Sequence, residues 1–183
     1  MTAVIAVLVI AVVLGAVIAS GYNRLVKLRN KVQANWAQID VVLKRRYDLI
    51  PNLVETVKGY SKHESETLEN VVRARNAYAS ASSPEEKMQT SGQLTQALGH
   101  LFAVAESYPD LKANTNFMDL QKQLKETEDK IQFARQFYND SAADYKNRCE
   151  MFPSNIIAGL FGFRPMPFFE TDEESRKNPE VKF

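Results

Sequence analysis

The sequence predicts an all-α protein whose N-terminal transmembrane helix continues into an antiparallel bundle of long helices. Three observations predict it. Met1 to Ser20 carry no charged side chain, whereas Arg24, Lys27, Arg29 and Lys31 follow within the next eleven residues. From Leu25 onward apolar residues recur every three or four positions, the period of a helix buried along one face. From Phe117 to Arg148 that alternation is the most regular in the chain.

At about 1.5 Å of rise per residue, the charge-free run spans about 30 Å, the thickness of a bilayer's hydrocarbon core. A cleaved secretory leader would carry basic residues ahead of its apolar stretch. Only Met1 and Thr2 stand there, so residues 1–23 read as an uncleaved anchor, although Val17-Ile18-Ala19 resembles a small-residue cleavage site. Cationic residues close to a span stay cytoplasmic, which predicts a single-pass protein of the cell membrane with a cytoplasmic body. The same residues touch anionic headgroups at about 1 kcal/mol each, making membrane lipids a partner. The single cysteine, Cys149, forms no internal disulfide and reads as a small apolar packing residue.

The body, residues 24–170, is long enough for one domain. Its first stripe runs Leu25, Leu28, Val32, Trp36, Ile39, Leu43 and Ile50, interrupted only at Arg46. No glycine or proline breaks Asn23 to Ile50, so the anchor continues into this helix with Gly21 as its one flexible point. Pro51 removes a backbone donor and disfavours helical geometry at Ile50, which predicts a kink or break there. A second helix keeps its stripe through Leu53, Val57, Tyr60, Leu68, Val71, Val72 and Tyr78.

Ser83, Pro84 and Glu86 then supply a capping serine, a first-turn proline and a reciprocal glutamate, the start of a third helix. That helix carries Leu94, Leu98, Leu101, Val104 and Tyr108 and ends at Pro109; a turn runs to Asn116. The fourth helix presents Phe117, Leu120, Leu124, Thr127, Ile131, Ala134, Tyr138, Ser141, Tyr145 and Arg148, a heptad stripe that reads as bundle packing. Pro153 stops it. The apolar stretch Ile156 to Phe163 and Pro165-Met166-Pro167-Phe168-Phe169 dock on the bundle, and residues 171–183 read as a disordered tail.

Chemistry is sparse. With 23 basic and 22 acidic side chains, nothing in the overall balance suggests a nucleic-acid partner, and none is expected. His63 with Glu66 has helical spacing for a metal but lacks the second histidine of a zincin, and His100 lies on another helix. The seven glycines are scattered and form no phosphate loop; no nucleophile elbow or Cys-x-x-Cys occurs. The reading assigns no catalytic residue, no metal and no cofactor.

Two features point to binding. Ala11, Gly15 and Ala19 repeat every four residues along the span, a small-residue face that lets two helices approach closely and predicts a homo-oligomer; the alternative is that alanine is simply common in this span, which also carries Ala3, Ala6 and Ala16. A charged stretch from Asp40 to Lys58 pairs Asp40 with Lys44 along one face, and Arg46 on the apolar stripe calls for a carboxylate such as Asp48 or Glu55. Arg45, Arg46 and Asp48, with Phe168 and Phe169, are the residues named for docking an unidentified protein partner.

These residues resemble a known family. Gly21-Tyr22-Asn23, Leu25-Val26, Arg29-Asn30, Trp36, Asp40-Val41 and above all the run from Leu43 through Arg45-Arg46-Tyr47-Asp48-Leu49-Ile50-Pro51-Asn52 to Val54 are similar to the LemA family. So are Ala105 to Asn114, Ala134 to Asn139, Phe152 to Ile157 and Phe168-Phe169-Glu170. The resemblance implies a bacterial membrane protein with an anchored helical bundle, and a magnetosome-associated branch implies membrane organisation. It carries over no catalytic or metal residue. Some relatives have a lipoprotein cysteine where Ser20 stands, which would put their bodies on the outer side, so the cytoplasmic and periplasmic placements both stay open.

Three functions are weighed. The first is a non-enzymatic, self-associating scaffold that organises partner proteins at the membrane. The second is an adaptor for a membrane protease or envelope-stress signalling, docking through Ile156 to Phe169 or the Arg45-Arg46 region. A hydrolase built on His63 and Glu66 is the third.

Overall fold

The computed structural model describes residues 1–60 and 65–169. Among the described residues the chain forms six helices and no strand: α1 (Thr2–Lys58), α2 (Ser65–Ser80), α3 (Pro84–Ala105), α4 (Pro109–Lys112), α5 (Thr115–Glu150) and α6 (Ser154–Leu160). The tail beyond Phe169 and His63, one half of the His63–Glu66 candidate, lie outside the described residues.

Of the kink or break expected at Pro51, the break is absent: α1 runs through it to Lys58. An interior proline costs about 3 kcal/mol, whereas each fully buried aliphatic side chain contributes about 1.5–3 kcal/mol. Ile50, Leu53, Val54 and Val57 are all buried around the exposed Pro51, so packing outweighs the lost backbone bond. The second helix of the sequence reading is therefore divided: Leu53 and Val57 belong to α1, a turn occupies Gly59 and Tyr60, and α2 starts at Ser65. Tyr60 is exposed and accepts a hydrogen bond from Asn114 Nδ2 at 2.8 Å.

The start of α3 is as expected. Ser83 Oγ accepts from the Glu86 amide at 3.1 Å while Glu86 Oε2 accepts from the amides of Ser82 and Ser83. Those two amides, Ser82 first, hold the Glu86 carboxyl below its usual range. α3 ends at Ala105 rather than Pro109, and the expected turn contains α4 with Pro109 in its first turn. Asn114 Oδ1 accepts from the Phe117 amide at 3.0 Å, closing the start of α5.

Contacts group the described chain into two compact units. Unit 1 holds Met1–Ala37 and Gln136–Phe168; unit 2 holds Gln38–Arg135 and Phe169. In unit 2, Ile50, Leu53 and Val57 of α1 form one apolar cluster with Leu68 and Val71 of α2, Leu94, Leu98 and Leu101 of α3, Leu111 of α4 and Phe117, Leu120 and Leu124 of α5. In unit 1, Asn35 Nδ2 donates to Ser141 Oγ at 3.0 Å and to the Phe137 carbonyl at 3.1 Å. Lys31 lies 3.9 Å from Asp144, and Trp36 meets Tyr138 edge-on at 5.9 Å. Residue numbers rise along α1 as they fall along α5, so the two helices are antiparallel in this unit.

The heptad stripe of α5 is largely the buried face: Phe117, Leu120, Leu124, Thr127, Ile131, Tyr138, Ser141 and Tyr145 are buried, whereas Ala134 and Arg148 are only half-buried. Its polar members are satisfied by their own helix. Thr127 Oγ1 donates to the Gln123 carbonyl at 2.7 Å and Ser141 Oγ to that of Tyr138 at 2.8 Å.

Candidate functional site

Arg46 sits on the buried stripe of α1 and is only 4% exposed. An uncompensated cation there would be prohibitive, so a partner is obligatory. That partner is neither Asp48 nor Glu55. Glu128 on α5 meets Nη1 at 2.7 Å, and the same nitrogen donates to Thr95 Oγ1 of α3 at 2.9 Å. Burial lowers the Arg46 pKa first and foremost; the Glu128 charge opposes that and Arg135 reinforces it. The centre therefore ties three helices of unit 2 together.

The expected Asp40–Lys44 pair is replaced by a link between helices. Asp40 Oδ1 accepts from Lys87 Nζ at 2.6 Å and from the Tyr78 hydroxyl at 3.5 Å. Burial, then the Asp40 charge, raises the Tyr78 pKa.

Of the residues named for docking, Arg46 and Phe169 are buried in unit 2, where the Arg135 guanidinium lies 4.4 Å over the Phe169 ring. Both are committed to internal contacts. Arg45 and Asp48 are exposed, and Phe168 is partly exposed with Lys146 Nζ 5.7 Å from its ring. The Tyr138 hydroxyl donates to the Pro167 carbonyl at 2.9 Å, which fastens the proline-rich segment to α5.

Ala11, Gly15 and Ala19 lie on α1 with their surroundings open; a Cβ built on Gly15 meets nothing within 4 Å. Every apolar side chain from Val4 to Ile18 is exposed, and α1 is the one described helix long and apolar enough to cross a membrane.

His100 lines an open groove of about 550 Å³ between α2 and α3, with Asn70, Arg73, Gln93 and Gln96. Glu66 is exposed on α2. Among the described residues no three His, Cys, Asp or Glu side chains converge. Cys149 is buried, and that burial raises its thiol pKa, keeping it protonated at neutral pH. Burial and the neighbouring Cys149 push Tyr145 up to about 12, against the opposing Arg29 charge and Arg164 amide.

Sequence reasoning missed the arginine–aromatic stacks. Arg29 lies over Phe163 at 5.3 Å and Arg75 over Tyr47 at 4.2 Å. Each pair is remote in sequence, so no spacing rule announces it. It also missed the packing role of Gly21, whose missing Cβ leaves the space occupied by Ile157 Cδ1 of α6.

The profile described as LemA family matches residues 35–183. Magnetosome protein MamQ 2 of Paramagnetospirillum magneticum is 26% identical over 175 residues, covering 81% of this chain and 64% of its own length. Protein LemA of Metamycoplasma hominis is 26% identical over 158 residues, covering 84% of this chain and 71% of that protein. Magnetosome protein MamQ of Magnetospirillum gryphiswaldense is 25% identical over 81% of this chain and 64% of its own length. The chain thus spans about two thirds or less of the MamQ relatives.

Proposed function

Since the chain belongs to the LemA family, we propose that it is a non-enzymatic scaffold, anchored in the membrane by the first turns of α1 and organising partner proteins there. One observation carries the reading. A charge-free, exposed apolar stretch and a packed helical body are parts of the same uninterrupted helix, α1. A helix apolar on all sides belongs in lipid, and the arginines and lysines from Arg24 to Lys31 mark where it leaves the hydrocarbon. Magnetosome proteins among the relatives support a role in membrane organisation. The span self-associates through Ala11, Gly15 and Ala19, and Arg45, Asp48 and Phe168 are the accessible residues for partner proteins.

The test is the native mass of the full-length protein in mild detergent, beside Gly15→Ile. Because nothing lies within 4 Å of a Cβ at Gly15, the added side chain disturbs no contact inside the protomer. Collapse of a homo-oligomer to a protomer in the variant supports the reading. An unchanged mass, or a monomeric parent, overturns the small-residue interface.

A further inference from the structure

We propose that residues 151–163 form an in-plane element that inserts into the phospholipid leaflet beside the point where α1 leaves it. This rests on the anchor reading above and adds a second membrane contact, made by the other end of unit 1's sequence.

Residues 151–163, Met151 through Phe163, contain no charged side chain. Within α6, Ser154, Ile157 and Ala158 face inward and are buried. The opposite face is largely apolar: Ile156 is 61% and Leu160 72% exposed, one turn apart, Met151, Phe152 and Phe161 extend the exposed surface, and Asn155 in the first turn is its one polar side chain. A surface helix in water has a polar side; this one exposes a single polar side chain, Asn155, and no charge, which calls for protein on one face and a non-aqueous medium on the other.

The position of α6 identifies that medium as lipid. Ile157 packs on Gly21, and Tyr22 meets Phe161 at 4.9 Å and Phe163 at 5.5 Å, both edge-on. A cleft of about 530 Å³ is lined by Val13, Ala16 and Val17 of α1 on one side and Pro153 and Ile157 on the other. Val13 to Val17 belong to the closing turns of the apolar run, so a leaflet that covers them reaches residues 151–163 as well. Arg24 and Arg148 line the same cleft, where guanidinium groups meet lipid phosphates, and Tyr22 stands at the aromatic level of an interface. Amphipathic in-plane helices sink about 5–10 Å into the headgroup–acyl boundary, within reach of Ile156 and Leu160.

The experiment uses the full chain with Cys149→Ser and one fluorophore at a time on Leu8→Cys, Ile156→Cys, Leu160→Cys or Glu85→Cys. Each variant is reconstituted into vesicles of phosphatidylcholine and phosphatidylglycerol, with circular dichroism confirming retained helix. All four native side chains are exposed, so labelling leaves the core intact. Quenching by doxyl-labelled lipid is read against quenching by aqueous iodide. Labels at 8, 156 and 160 are expected to lose iodide quenching and gain lipid quenching, whereas the label at 85 does the reverse. If 8 is lipid-shielded but 156 and 160 respond to iodide like 85, the in-plane element is overturned and the anchor stands. If 156 and 160 are shielded from both quenchers, the occupant is protein and the lipid assignment is overturned. If 8 itself is open to iodide, the anchor reading fails and takes this proposal with it.

Discussion

Replacing Glu128 with alanine strands the Arg46 guanidinium in the interior of unit 2. The guanidinium side chain is 4% exposed and the Glu128 side chain 22%, with 2.7 Å between Nη1 and Oε2. Removing one partner of a buried pair costs about 3–5 kcal/mol, because the survivor stays buried without compensation. Thr95 still accepts from Nη1 and the site of Glu128 admits some water, so the lower end applies, about 3 kcal/mol. At about 2–4 °C per kcal/mol for a chain of this size, the melting temperature should fall by about 6–12 °C. Thermal and urea unfolding of the full-length protein in detergent, followed by circular dichroism, reads this. The double variant Arg46→Met with Glu128→Leu should return to within about 1 kcal/mol of the parent, since a packed apolar pair dispenses with both desolvation costs. Glu128→Ala within about 0.5 kcal/mol of the parent, or a double variant as unstable as the sum of the singles, would refute the reasoning.

Pro51→Ala should stabilise the protein by up to about 3 kcal/mol, because the exposed ring packs little and the restored amide can donate within α1; a lower urea midpoint would show that the proline has a structural role. Gly21→Ala gains about 1 kcal/mol of helix propensity but drives Cβ into Ile157, so it should be near neutral alone and stabilising in an Ile157→Ala background. Equal effects in both backgrounds would remove that contact from the account. Tyr145 holds its proton more tightly folded than unfolded, so its contribution is complete below pH 10.0 and lost as pH rises towards about 12. The urea midpoint should drop through that window, and Tyr145→Phe should make the drop shallower; an identical profile would place the alkaline sensitivity elsewhere.

How legible the molecule is from its residues varies by position. The stripe of α5 is readable because one helix's periodicity decides which of its faces is buried, and from Phe117 to Tyr145 every stripe position but Ala134 is buried. The capping box at Ser83 is readable because all its groups lie within four residues. Pro51 does not end its helix, because local propensity is outweighed by Ile50, Leu53, Val54 and Val57, whose burial depends on helices far away in sequence. Arg46 shows a partial reading: its place on an apolar stripe demands a carboxylate, but the carboxylate is Glu128, and no local rule selects it over Asp48 or Glu55.

The sequence by itself determined the helical class, the length of an apolar span, most of the buried positions of the long helices, though not Tyr60 and Val72, and the resemblance to the LemA family. These are properties of period, composition and short-range capping, which a chain carries before it packs. The tertiary structure alone decided which charges pair, that Arg46 and Phe169 are withdrawn from the surface, and that α6 packs on Gly21 beside the end of the span. The physical reason is that pairing and burial of a single side chain depend on distances between segments that can lie more than a hundred residues apart, set only when the helices pack.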